Sequence, residues 1–113
     1  MNDLIINHWV ITAKEINSDI LSEKELLVPA VKRLIERLSL TSVSDHFHVF
    51  GPGVSYLVVL SESHLAIHTW PELNFIHLDL VVCTINEKLS ESNIQLEIKN
   101  VFNTNNIIIQ EVK

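Results

Sequence analysis

Apolar and polar residues alternate along much of the chain, and two segments show helical spacing instead. Alternation with many β-branched residues predicts a first strand over 5–14. Ser22 followed by Glu25 forms a capping-box pattern, and the apolar residues after it recur at helical spacing, which predicts a helix from 23 to 39. A second helix, less sharply patterned, is predicted over 88–102.

The segment between the helices reads as four consecutive strands, with Gly51-Pro52-Gly53 as a turn and Pro71 as a strand end. The strands after the first are predicted over 43–50, 54–61, 64–70 and 75–83, and from Ile107 onward. The order β-α-β-β-β-β-α-β predicts an α+β fold. We expect an antiparallel-dominated sheet with both helices on one face, a two-layer sandwich.

The opposite face of such a sheet would also need a cover, because the strands carry more apolar surface than two helices hide. The residues that suggest this are Leu57, Val59, Ile76, Leu78, Leu80 and Val82. Sheet-to-sheet dimerisation would cover them and give αββα layers.

Composition narrows the class of protein. The chain has 113 residues, enough for one domain over 1–113, and its apolar content of 47% fits a globular core. No apolar run approaches the ~18 residues that cross a bilayer, and the start Met1-Asn2-Asp3 lacks a basic region, so we expect a cytoplasmic protein and no membrane partner. A net charge of −6 argues against nucleic acid and mildly favours a cationic small molecule.

The run Ser61-Glu62-Ser63-His64 is the most informative chemical feature. A serine hydroxyl beside its own peptide bond can attack the preceding carbonyl, which turns the amide into an ester. A base then removes the serine Cα proton, and β-elimination followed by hydrolysis leaves a pyruvoyl group. This chemistry needs a base, with His64 and His68 as candidates, and a donor for the oxyanion. Taken alone, the run is a weak signal and is more typical of a polar strand edge.

A longer pattern surrounds this run. It comprises Phe47-His48-Val49-Phe50, Gly53-Val54-Ser55, Ser61-Glu62-Ser63-His64-Leu65, Ile67-His68-Thr69-Trp70-Pro71-Glu72, Asp79-Leu80 and Cys83. In letters and spacing it resembles the prokaryotic S-adenosylmethionine decarboxylase proenzyme. The resemblance is specific over 47–83 and loose elsewhere.

The resemblance implies autocatalytic cleavage between Glu62 and Ser63, giving a β chain of 1–62 and an α chain of 63–113. Ser63 would become the pyruvoyl cofactor, which forms a Schiff base with S-adenosylmethionine. The resulting enzyme would release CO2 and supply decarboxylated S-adenosylmethionine for spermidine synthesis. Family members assemble as dimers of αβ units, in agreement with the dimer expected above.

The resemblance also implies roles for further residues. His68 would accept the proton during processing, with Ser55 assisting, and Cys83 would donate the proton that quenches the decarboxylated carbanion. Phe50 resembles the aromatic that stacks on adenine, and Glu72 resembles the carboxylate that holds the ribose hydroxyls. No metal is expected.

Several positions depart from the family pattern and leave alternatives open. Leu73-Asn74 stands where Tyr-Gly is usual, His77 belongs to a pair that replaces two small residues, and Tyr56 and Thr84 stand where glycine is common. A pyruvoyl-dependent decarboxylase of ornithine or arginine is therefore the first alternative.

A non-enzymatic binding protein is the second alternative, with a zinc site drawn from His46, His48, His64, His68 and Cys83. Strand parity adds a further expectation. Ser63 and His68 are five apart and face opposite sides of a regular strand, so the scheme requires a bend or bulge near 62–64, or a break there after cleavage.

Overall fold

The computed structural model describes residues 4–85 and 89–113. The strands are β1 Leu4–Ala13, β2 Ser42–Phe50, β3 Gly53–Leu60, β4 Ser63–Trp70, β5 Phe75–Ile85 and β6 Ile107–Val112. The helices are α1 Ser18–Ser22, α2 Lys24–Arg37 and α3 Glu91–Phe102, with a 3-10 turn at Pro71–Leu73. The predicted α+β class and the order of the six strands and two main helices are confirmed.

One sheet holds all six of these strands in the order β2-β3-β4-β5-β1-β6. Every neighbouring pair is antiparallel. The first strand therefore lies between two strands from the far end of the chain. α2 and α3 are joined by an ion pair between Arg37 Nε and Glu97 Oε1, 2.7 Å apart.

The start of the first helix differs from its prediction. Ser22 does not cap α2. It ends the short helix α1, where its hydroxyl donates to the Ser18 carbonyl over 3.0 Å. Asn17 caps α1 by accepting from the Asp19 amide at 2.8 Å, and Glu23 precedes α2 without a side-chain cap bond. A five-residue helix has too little periodicity to be seen in a sequence pattern.

The second main helix starts later than predicted. Ser90 caps α3 by accepting from the Asn93 amide at 3.3 Å. Position 88, where the sequence pattern places the start, lies outside the described residues.

The core lies between the helices and one face of the sheet. Alternate residues on β1, β3, β4 and β5 are buried there, among them Trp9, Tyr56 and Leu65. Four residues predicted to lie on the uncovered face, Ile76, Leu78, Leu80 and Val82, are also in this core, with exposures of 2% or less. That part of the prediction is wrong, because these residues occupy the helix-facing positions of β5.

The other face of the sheet, called here the open face, is not covered by the helices. Leu57 and Val59 lie on it, as predicted, and are 44% and 50% exposed. Cross-strand pairing places further exposed apolar side chains on the same face. These are Leu4, Ile6, Phe50, Ile108 and Val112.

Candidate functional site

The predicted cleavage point lies at the tip of a β-hairpin. Leu60 pairs with Ser63, so Ser61 and Glu62 form a two-residue connection between β3 and β4. Both connecting residues are exposed. The amide of Ser61 donates to the Thr41 carbonyl at 3.2 Å, which ties the hairpin tip to the start of β2. The peptide bond that would be cut therefore lies in a short, anchored turn.

The Ser63 hydroxyl is held in place by the neighbouring strand. Its Oγ accepts a hydrogen bond from the Cys83 backbone amide at 2.9 Å. The Cys83 thiol is free and half-buried. Cys83 pairs with Ile6, so its side chain lies on the open face. Serine and cysteine, 20 residues apart in sequence, are thus neighbours at one end of the sheet.

A second polar pair lies on the open face, towards the other end of β4. Ser55 and His68 are direct cross-strand partners, and Ser55 Oγ lies 2.8 Å from His68 Nδ1. His77 is the partner of His68 on β5, and the two ring centroids are 6.3 Å apart. A hydroxyl that is hydrogen-bonded to an imidazole can transfer a proton to it.

The residues expected to bind the adenosine part of the substrate lie near the Ser55–His68 pair. Phe50 ends β2, and its ring packs so closely on Gly53 that a Cβ there would lie 3.0 Å from the ring. Glu72 is exposed in the 3-10 turn that follows β4. Trp70 and Phe75 pack edge-to-face beside this turn, with ring centroids 5.5 Å apart.

The structure therefore separates the predicted site residues into two groups. Glu62, Ser63 and Cys83 lie at the hairpin end, and Phe50, Ser55, His68 and Glu72 lie towards the other end. Ser63 and His68 are five positions apart along β4, which is about 17 Å at ~3.3 Å per residue. A two-residue turn precedes Ser63, but β4 pairs with β3 without a register shift from Ser63 to His68. The bend or bulge expected near 62–64 is therefore absent from β4, and the two side chains face opposite sides of the sheet. His68 in the same chain is out of reach of Ser63.

Two departures from the family pattern have a structural explanation. Asn74 has a φ of 52°, in the left-handed region that asparagine tolerates better than most residues. Its Nδ2 also donates to the Ile16 carbonyl at 2.8 Å. Tyr56 points into the core, away from the open face, and its hydroxyl donates to Asp45 Oδ2 at 2.5 Å. Burial, followed by this bond, raises the pKa of Tyr56 above its ordinary range.

Two structural features were not apparent from the sequence. Thr69 is fully buried and joins three segments, because its Oγ1 accepts from the Val54 amide at 3.0 Å and donates to the Leu21 carbonyl at 2.7 Å. The His8 ring forms a hydrogen bond with the Asp79 carboxylate on the open face, although neither the position nor the sequence neighbours of His8 suggested a partner.

The zinc alternative receives no support from the side-chain positions. Within 4–85 and 89–113, no three His, Cys, Asp or Glu side chains come together as metal ligands. None of the helices in the described part of the chain is long and apolar enough to span a membrane.

The two-layer fold is that of a decarboxylase of known structure. The crystal structure of the adenosylmethionine decarboxylase from Aquifex aeolicus superimposes with a TM-score of 0.81 at 22% identity, covering 97% of this chain and 90% of that one. At this identity the likeness concerns the fold.

Sequence comparison identifies the family. A family model for S-adenosylmethionine decarboxylase matches residues 7–113. The S-adenosylmethionine decarboxylase proenzyme of Clostridium botulinum is 40% identical over 78 residues, 68% of this chain and 67% of that one. The proenzyme of Thermodesulfovibrio yellowstonii is 42% identical over 81 residues, 67% of this chain and 57% of that one. The chain belongs to the S-adenosylmethionine decarboxylase family.

Proposed function

We propose that the protein is an autoprocessing decarboxylase that converts S-adenosylmethionine to its decarboxylated form and CO2. The observation that carries the proposal is the Glu62–Ser63 bond at an exposed hairpin tip, with Ser63 Oγ held by the Cys83 amide, in a chain whose relatives are proenzymes. The decarboxylated product is an aminopropyl donor for spermidine synthesis. The proposed place of action is the cytoplasm.

Processing begins when Ser63 Oγ attacks the Glu62 carbonyl carbon, which moves the acyl group from nitrogen to oxygen. The amide of Cys83 donates to this oxygen and leaves the hydroxyl hydrogen free to depart. Removal of the Ser63 Cα proton then expels the Glu62 carboxylate and leaves a dehydroalanine. Hydrolysis of that residue releases ammonia and yields the pyruvoyl group, with chains 1–62 and 63–113 as products.

We infer that the base for this step comes from a second copy of the chain. His68 is the proposed proton acceptor, yet it lies about 17 Å from Ser63 along the same strand. Cys83, Ser55 and His68 lie on the open face, and Ser63 stands at the hairpin end of β4 in the helix-facing register. The helices do not cover the open face, so it is available to a facing sheet. In a two-fold dimer, Ser63 and Cys83 of one copy meet His68, Ser55, Phe50 and Glu72 of the other.

The residues then divide the decarboxylation between them. The pyruvoyl group supplies a carbonyl that draws electrons from the substrate Cα as CO2 leaves. Cys83, with its thiol on the open face, donates the proton that replaces the carboxylate. Phe50 stacks on the adenine ring, and the exposed Glu72 carboxylate accepts hydrogen bonds from the ribose hydroxyls.

Intact-mass measurement of the purified protein tests the processing step. The expected result is two chains that divide after Glu62, the second with a blocked N-terminus. The matched control is Ser63→Ala, which should stay uncut. A single full-length wild-type chain after prolonged incubation would refute autoprocessing.

A second measurement tests the substrate. Carboxyl-labelled S-adenosylmethionine, ornithine and arginine are compared as sources of CO2. Release from S-adenosylmethionine alone is expected. If a cut protein instead releases CO2 from ornithine or arginine, the proposed substrate is wrong and the proposed pyruvoyl cofactor still stands.

A further inference from the structure

The open face carries every histidine of the chain. Cross-strand pairing places all six on this side of the sheet. They are His8, His46, His48, His64, His68 and His77. The register also puts four polar side chains in one row across β2 to β5, namely His48, Ser55, His68 and His77.

Few other ionisable groups share this face. Among the strand residues that the structure describes, Asp79 is the one carboxylate on it, and no Lys or Arg side chain lies there. Asp79 is already paired with His8. Cys83 lies at the hairpin end, while Glu62 and Glu72 occupy turns outside the strands. The remaining five histidines therefore have no carboxylate partner among these strands.

A face of this composition changes its charge with pH more than any other surface of the molecule. Histidine is the side chain that ordinarily titrates between pH 5 and 8. With neutral imidazoles the open face is nearly uncharged and partly apolar, in contrast to a chain of net charge −6. With protonated imidazoles it becomes strongly cationic, and a second copy facing it carries the same charge.

We propose that the open face is a proton-gated interface between two copies of the chain, formed when its histidines are neutral and opened by acidification. The inference rests on the proposed function for the second copy, which completes the site. The gate would control activity, because within a separated copy Ser63 and His68 lie about 17 Å apart along one strand. Acidification would therefore stop processing and decarboxylation without unfolding the chain.

The direction of the effect follows from proton linkage. Each imidazole that has to be neutral in the dimer makes association weaker on acidification, and the effects of several such groups multiply. His68 and His77 are both half-buried in the central row, so a two-fold dimer brings four imidazoles of this row to the interface. The dimer dissociation constant is therefore expected to rise between about pH 8 and about pH 6.

Sedimentation of the purified protein at about pH 8 and about pH 6 tests the gate. His77→Gln removes two of these four imidazoles and lies outside the proposed catalytic set, so the dissociation constant of this variant should rise less over the same pH range than that of the wild type. The matched control is Lys99→Gln, an exposed change on α3 that should keep the full wild-type response. Fluorescence of the buried Trp9 reports whether the separated copies remain folded.

Three outcomes would overturn the proposal. These are a monomer at pH 8, a dimer equally tight at pH 6, and a His77→Gln protein with the wild-type response. Unfolding at pH 6 in place of dissociation to folded monomers would also contradict it. A cut protein with a pH-insensitive dimer rejects the gate and leaves the proposed function standing. An uncut protein with a pH-sensitive dimer rejects the proposed function and leaves the gate standing.

Discussion

A mixture of two inactive variants tests whether the site is shared between copies. Ser63→Ala lacks the nucleophile and His68→Ala lacks the proposed base, so each alone should remain uncut. Along β4 the two residues are about 17 Å apart, whereas proton transfer requires an approach of ~3 Å. Within one chain, neither variant can supply what the other lacks.

In a mixed dimer one of the two sites is complete. It combines Ser63 of the His68→Ala chain with His68 of the Ser63→Ala chain, while the other site lacks both. Random pairing of equal amounts places about half of each variant in mixed dimers under two-fold symmetry. Co-expression should therefore cut about half of the His68→Ala chains and none of the Ser63→Ala chains.

Intact-mass spectrometry of the co-expressed protein measures both fractions, because the two variants differ in mass. The wild-type chain and each variant expressed alone are the controls. If both variants stay whole after co-expression while the wild type is cut, the shared site is refuted. Cutting of His68→Ala expressed alone would show that another group is the base.

Three further predictions concern residues that support the site. Tyr56→Phe leaves Asp45 without its buried hydroxyl donor and should lower the free energy of unfolding in urea by about 1–2 kcal/mol. Because folding raises the pKa of Tyr56, the contribution of its protonated hydroxyl to the free energy of unfolding should be complete below pH ~10. This contribution should be lost from the wild type as the pH rises above that value, whereas the stability of Tyr56→Phe should not show this loss. Gly53→Ala places a Cβ 2.4 Å from the Thr69 carbonyl oxygen and should slow cutting in the intact-mass assay, whereas normal cutting would contradict the tight packing. Asn74→Gly and Asn74→Ala both lose the bond to the Ile16 carbonyl, but alanine is strained at this left-handed φ, so Asn74→Ala should be about 1 kcal/mol less stable than Asn74→Gly in urea melts. Equal stability of the two variants would contradict this reason.

Alternation in the sequence predicted the strands well but not which face each apolar row would occupy. Leu78 and Leu57 both lie on alternating strands, and their patterns are alike. The first is buried because it faces the helices, and the second is exposed because it lies on the open face. Which side of each strand meets the helices depends on long-range packing, which local periodicity does not contain.

The separation of the site, by contrast, could be anticipated from residue counting. Five positions between Ser63 and His68 already indicated opposite sides of a strand. The bond between Ser55 and His68 could not be anticipated in this way, because it depends on the register of a hairpin. Likewise, the pairing of His8 with Asp79 joins residues 71 apart in sequence.

The sheet order has a consequence for what happens after the chain is cut. Strands β1 to β3 belong to the first product and β4 to β6 to the second, yet β1 lies between β5 and β6. The strands of the two products would therefore be interleaved in one sheet. To separate, the products would have to break the hydrogen bonds of three strand pairs, β3 with β4, β5 with β1, and β1 with β6. After cleavage at the hairpin tip, backbone hydrogen bonds across the sheet would still hold the two products together.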